Sequence, residues 1–211
     1  MQIKQDDLLL VVDLQRDFCP GGALAVTQGD AVIQPINQLA TRFEHVVLTQ
    51  DWHPADHLSF ASQHPGRHPY DTIEMSYGPQ TLWPDHCIQG SRGAEFHPAL
   101  HIPHASLILR KGVHREVDSY SAFYENDHQT PTGLAGWVRD RGIRRVFVAG
   151  LALDFCVRFT AADGAGCGFQ VVVIEDACRP VNLPGSVEAT HKQFRSLGLK
   201  PATVAQLLAG S

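Results

Sequence analysis

Five runs of aliphatic and β-branched residues stand out along the chain: LLLVVDL (8–14), HVVLTQDW (45–52), ASLILRKG (105–112), RRVFVAGL (144–151) and FQVVVIEDA (169–177). Their apolar residues follow one another rather than alternate, the pattern of parallel strands covered on both faces. Between them the period changes. In GDAVIQPINQLATRF (29–43), Val32, Ile36, Leu39 and Phe43 fall on one helical stripe, and TPTGLAGWVRDRG (130–142) ends in Gly142, a helix stop. SVEATHKQFRSLG (186–198) reads as a helix, and KPATVAQLLA (200–209) as a short edge strand, where proline is tolerated, followed by a helical turn. This alternation predicts an α/β fold: a doubly wound, mostly parallel, Rossmann-like sheet of about six strands with helices on both faces.

One region breaks the rhythm. Residues 54–104 are dense in His, Pro and Gly, far longer than the usual connection of roughly 4 to 6 residues. A loop region of that length inside a compact domain is expected to carry function. With 211 residues the chain suits one domain, 1–211, able to bury a core unaided.

Charge narrows the partners. The 17 Lys and Arg are scattered against 22 Asp and Glu, for a net charge of -5, so no basic field is available to hold nucleic acid. Cys19, Cys87, Cys156, Cys167 and Cys178 are odd in number and contain no CxxC pair. That argues against a disulfide framework or a cysteine-rich zinc site and for a reducing, cytoplasmic setting. The apolar run Leu8 to Val12 is too short for a signal peptide or a membrane span and reads as a buried strand.

Ligands of open parallel sheets sit beyond the carboxyl ends of the strands. Here those ends carry Asp13, then Asp51 and His53, then Lys111, and then the GLALDFC turn with Cys156. Each alone has an ordinary explanation: Asp13 as a loop acid, Lys111 as a surface charge, Cys156 as a small buried hydrophobe. Together they form a chemical set. A thiol near a helix start and beside a cation has a lowered pKa, and a carboxylate can take its proton and return it to a leaving group. Separately, Asp51 and His53 project to one side at the end of an extended strand, and can share a cation. His57, His64, His68 and His86 are available as further ligands. Such ligation suits one divalent ion, zinc, iron or manganese, and the residues alone do not choose among the three.

Six motifs in order, VVDLQRDFCPGGALAV (11–26), TQDWHPADHLSFAS (49–62), LWPDHCIQG (82–90), RKG (110–112) with DSYSAF (118–123), GLALDFCV (150–157) and DACR followed by VN (176–182), span essentially the whole chain. Together they resemble the isochorismatase-like cysteine hydrolases, and within that superfamily the family of bacterial nicotinamidases (pyrazinamidases). The resemblance implies metal-dependent hydrolysis of nicotinamide to nicotinate and ammonia through a cysteine thioester, a step of NAD salvage, with pyrazinamide also accepted. It implies Asp13 as base, Lys111 as supporting cation and Cys156 as nucleophile. The implied metal ligands are Asp51, His53 and His86, with His57 as an occasional or outer ligand. Phe18, Trp83 and Tyr120 are implied around the substrate ring. Backbone N–H groups of Ala152 and Cys156 are implied as the oxyanion hole, with a cis bond before Ala152. Asp154, two residues before Cys156, reads as a structural acid at the helix start.

One departure is Leu153, where many of these enzymes have threonine; the packing beside the nucleophile must differ. Two rivals stay open: a related cysteine hydrolase acting on a carbamoyl, ureido or isochorismate-type substrate, and a noncatalytic metal-binding protein. Beyond the small-molecule substrate, the partner left open is another copy of the chain, as a homo-oligomer.

Overall fold

The computed structural model describes residues 1–210. Strands β1 (Asp7–Val12), β2 (His45–Asp51), β5 (Leu107–Lys111), β6 (Arg145–Leu151) and β7 (Gln170–Arg179) form one parallel sheet in the order β5-β2-β1-β6-β7. Thus β1 lies at the centre, and all six of its residues are buried. Its two faces serve two core layers. Leu9 and Val11 pack in the layer that holds Ile36 and Leu39 of α1 (Ile33–Ala40) and Leu207 of α5 (Val204–Leu208). Leu8, Leu10 and Val12 pack with Val138 of α2 (Leu134–Asp140), Ala161 of α3 (Arg158–Gly166) and Phe194 of α4 (Ser186–Ser196). Each buried Leu or Val contributes about 1.5 to 3 kcal/mol from water exclusion. The doubly wound α/β class expected from the alternation is therefore present.

The sheet has five strands, not about six. At the sixth position only a parallel bridge, Ile174 to Ala202, forms, because its neighbours are committed elsewhere. Pro201 has no N–H to donate, and Thr203 closes a capping box with Gln206 that starts α5. The edge strand β5 also departs from full burial, with Ile108 52% exposed.

Residues 54–104 are not structureless. A hairpin of β3 (Thr72–Met75) and β4 (Gly78–Thr81) forms within them, and bridges from Phe60 to Trp83 and from His53 to Ile88 fasten the region across the sheet end. The chain runs outward from β1 through β2 to β5, then crosses to β6 and β7 on the other side. That reversal beside β1 opens a crevice at the strands' carboxyl ends.

Candidate active site

Just past β1, Asp13 adopts φ 48, a left-handed backbone uncommon for a residue with a Cβ. Thr49 on β2 secures it at two points. The Asp13 N–H donates to Thr49 Oγ1 at 3.1 Å, and the Thr49 hydroxyl donates to Asp13 Oδ1 at 2.6 Å. On the other side of the strand end, Gly150 lies against Val12 so closely that a Cβ there would sit 2.2 Å from the Val12 carbonyl oxygen. The glycine thus lets β6 and its following turn close on β1.

Lys111, at the end of β5 and 2% exposed, is the hub. Its Nζ lies 2.8 Å from Asp13 Oδ2 and donates to Asp51 Oδ1, to the Ser119 carbonyl at 2.9 Å and to Cys156 Sγ at 3.4 Å. Burial alone would drive the ammonium toward neutrality, but Asp13 and Asp51 outweigh it and hold the pKa well above its ordinary value. Burial likewise opposes ionisation of Asp51, yet Lys111, with help from His53 and His86, holds its carboxyl well below the usual range. For Asp13 burial wins: against the pull of Lys111, and with Asp51 adding to the rise, its pKa is lifted to about 6.

Cys156 sits on a π turn, Leu153–Val157, between β6 and α3, with a cis peptide bond between Leu151 and Ala152. Its pKa corrects the expectation from the sequence. Burial pushes the thiol well above its ordinary value; Lys111 pulls it down, but Asp13 and Asp51 reinforce the burial. The resting sulfur is therefore a thiol whose proton needs an acceptor, and a carboxylate oxygen of Asp13 lies within 4.8 Å of it.

The second group is Asp51, His53 and His86, buried, with one ligand atom of each within 4.8 Å of the others. Its tautomers suit a cation. His53 Nδ1 lies 2.9 Å from the Gly112 carbonyl and His86 Nδ1 lies 2.8 Å from the Pro84 carbonyl, so each Nδ1 carries a proton and each Nε2 keeps a lone pair. Both Nε2 atoms face Asp51 Oδ2, at 3.6 and 3.8 Å. Gly112 is required here, since a Cβ would lie 2.3 Å from His53 Cε1. His57 is different. The Ser59 N–H donates to its Nδ1 at 3.1 Å, which leaves the ring proton on Nε2, a buried atom without a hydrogen-bond partner. Burial depresses its pKa to about 4. It thus presents an N–H, not a lone pair, beside His53 and Asp118. His64 Nε2 donates to the Leu58 carbonyl, and neither it nor exposed His68 joins the cluster.

A small cavity opens over these groups, and Phe18, Trp83 and Tyr120 all line it, together with Ala152 and Cys156. Sequence reasoning missed four of its wall residues: Leu24, Asp118, Phe155 and Val181. Phe155 was within reach, because it lies inside the GLALDFC turn; its ring meets Trp83 edge-on at 4.8 Å. Gln80 was also missed. From the hairpin it donates to Tyr120 Oη at 2.8 Å and to Asp118 Oδ2 at 3.0 Å, and so ties the hairpin to the cavity wall.

Asp154 turns away from the thiol. Its carboxylate accepts the N–H groups of Val181 and Asn182, both at 2.8 Å, and the Ser186 hydroxyl, which holds the segment that carries Val181 to the cavity. Asp154→Ala is expected to destabilise the fold by about 3 kcal/mol through these buried, charge-assisted bonds. Urea unfolding checks this, and an unchanged midpoint would show the carboxylate to be dispensable.

Comparison with known proteins gives the family and its fold. The isochorismatase domain family matches residues 7–206. A nicotinamidase of Acinetobacter baylyi is 52% identical over 192 residues, 91% of this chain and 90% of its own. The structure of a nicotinamidase and pyrazinamidase of Acinetobacter baumanii superposes with a TM-score of 0.95 at 54% identity, covering 96% of this chain and 98% of that one. That of a pyrazinamidase of Pyrococcus horikoshii in complex with zinc has a TM-score of 0.76 at 33% identity, covering 94% and 99%. With a match over nearly its whole length and a shared fold, the chain belongs to the isochorismatase domain family.

Proposed function

We infer that this chain is an amidohydrolase that converts nicotinamide to nicotinate and ammonia through a thioester on Cys156. The observation that carries the reading is the meeting of Asp13, Lys111 and Cys156 at one end of a small aromatic cavity, with Asp51, His53 and His86 beside them. The nicotinamidases at more than half identity supply the substrate.

Asp13 Oδ2 takes the thiol proton as Cys156 Sγ attacks the carboxamide carbon. The C=O electron pair moves to oxygen, where the N–H groups of Ala152 and Cys156 receive it. Lys111 offsets the negative charge as it passes from sulfur to oxygen. When the oxyanion collapses, the C–N bond breaks and Asp13 returns the proton to the departing ammonia. The same carboxylate then takes a proton from water as the water oxygen attacks the thioester carbon. When that adduct collapses the C–S bond breaks, the acid product leaves and ionises to nicotinate, and Asp13 returns its proton to Cys156 Sγ. Phe18, Trp83 and Tyr120 hold the ring while these transfers occur.

Asp51, His53 and His86 would hold one divalent ion, zinc in the first instance, with His57 beside it as an N–H donor. When bound, the ion supplies a ligand position for the ring nitrogen and so orients the carboxamide. The zinc complex of the Pyrococcus pyrazinamidase supports that choice of metal. No helix among the described residues is long and apolar enough to cross a membrane, and five free cysteines support a reducing, cytoplasmic setting for NAD salvage.

The test is ammonia release from nicotinamide, pyrazinamide and a set of carbamoyl and ureido compounds, with metal measured on the same sample. Nicotinamide and pyrazinamide are expected to turn over, with about one divalent ion per chain. Chelation is expected to abolish turnover, and added zinc, iron or manganese to restore it to different extents. Metal-replete protein inert toward nicotinamide overturns the reading. Turnover of the ureido compounds alone, indifferent to chelation, would favour the related hydrolases.

A further inference from the structure

Thr49 stands outside the groups assigned so far. It is buried on β2, two residues before Asp51. Its single hydroxyl hydrogen goes to Asp13 Oδ1 at 2.6 Å, and its oxygen accepts the Asp13 N–H at 3.1 Å. Both bonds run to the same residue, the one whose backbone is left-handed at φ 48. Such a backbone costs about 1 to 3 kcal/mol and persists only where its surroundings enforce it.

The other oxygen of Asp13 is treated differently. Oδ2 is buried and faces Lys111 Nζ at 2.8 Å. Lys111 by itself does not lock the carboxylate. Its Nζ has three hydrogens but meets Asp13, Asp51, Ser119 and Cys156. With more acceptors than hydrogens, the Asp13 contact is exchangeable; the Thr49 contact is the fixed one.

We propose that Thr49 is a positioning residue for the reaction: by occupying Oδ1 and clamping the Asp13 backbone, it leaves Oδ2 as the oxygen that accepts and returns the Cys156 proton. This rests on the amidohydrolase reading above. In the step concerned the S–H bond breaks, its electron pair stays on sulfur, and an O–H bond forms at Oδ2 while Oδ1 keeps the Thr49 hydrogen bond. The proton later leaves Oδ2 for the nitrogen of the departing ammonia. Without the hydroxyl, the carboxylate can rotate and present either oxygen, or turn wholly toward Lys111.

Thr49→Val keeps the shape and removes both bonds, and Thr49→Ser restores them. For the metal-loaded enzyme, Thr49→Val is expected to lower kcat for nicotinamide roughly 10- to 100-fold, with KM and bound metal within about threefold of wild type. Thr49→Ser is expected to recover kcat to within about threefold. The proposal is overturned if Thr49→Val keeps kcat within about twofold, if the loss appears in KM or metal content instead, or if Thr49→Ser is as impaired as Thr49→Val. Should the valine variant not fold, Thr49→Cys, similar in size with a weak donor, is expected to give an intermediate kcat; equality with wild type there overturns the proposal as well. A wild type without nicotinamide turnover overturns the amidohydrolase reading and this step with it, whereas an active wild type beside an unaffected valine variant overturns the Thr49 role alone.

Discussion

Cys156→Ala is expected to lower kcat/KM for nicotinamide by about 10⁴-fold or more while leaving the fold and the bound metal intact. The size follows from the chemistry: without sulfur there is no covalent intermediate, and residues that act as one unit lose most of their joint effect when one is removed. The sparing of the fold follows from the geometry. Cys156 is a small side chain, and Lys111 keeps Asp13, Asp51 and the Ser119 carbonyl when the sulfur is gone. The thermal midpoint should therefore shift by only a few degrees, as for a loss of about 1 kcal/mol. Cys178→Ala is the matched control. Cys178 is also buried, burial lifts its pKa to about 12, and its Sγ donates to the Ile174 carbonyl rather than meeting Asp13, Lys111 or Asp51. It should cost stability but not turnover. Ammonia release surviving in Cys156→Ala, with purified protein and saturating metal, would remove the thioester route altogether.

Much of this arrangement was legible because the sheet itself does the assembling. Consecutive apolar residues in 8–12, 46–48 and 146–149 announce strands with two covered faces, and parallel pairing then brings each strand's last polar residue to one edge. That is how Asp13, Asp51, Lys111 and Cys156, dispersed over most of the chain, become neighbours. What escaped depends on partners that no local pattern encodes. The hairpin Thr72–Thr81 has short, polar strands with a proline at position 79, and Gln80 docks it through bonds to Asp118 and Tyr120. Asp154 could be read as structural from its offset to Cys156, yet its partners Val181, Asn182 and Ser186 lie across the fold. The thiol's pKa direction was also beyond the sequence: a cation and a helix start were visible, but not the burial and the two carboxylates that outweigh them. Thr49 illustrates the same limit, since a threonine in a buried strand looks like filler until Asp13 is placed against it.

Lys111→Met should be the most damaging change at the site, because it affects both stability and catalysis. The methionine fits the stem but leaves Asp13 and Asp51 buried together without the cation between them, and breaking a buried ion pair in this way costs about 3 to 5 kcal/mol. Turnover is expected to fall at least about 10³-fold, since the negative charge that moves from sulfur to oxygen loses its counter-ion. The stability loss carries a pH signature. In the variant the two carboxyls repel and are desolvated, so their folded-state pKa values rise above the unfolded values near 3.9. Groups shifted in that direction favour the folded state while protonated, and that support is lost as pH rises through the folded pKa. In the wild type Asp13 is shifted in the same direction, to about 6, but Lys111 holds Asp51 well below the usual range, so Asp51 keeps its stability throughout pH 5 to 8 and loses it only on stronger acidification. The deficit of Lys111→Met relative to wild type should therefore be larger at pH 8 than at pH 5. Urea unfolding at both pH values measures it, with a chelator present so that no bound ion replaces the missing ammonium. If the deficit were equal at the two pH values, the buried carboxylates would not be the source of the loss. A variant as stable as wild type at pH 8 would mean that Lys111 does not hold two charged carboxylates, and its role beside Cys156 would lose its physical basis.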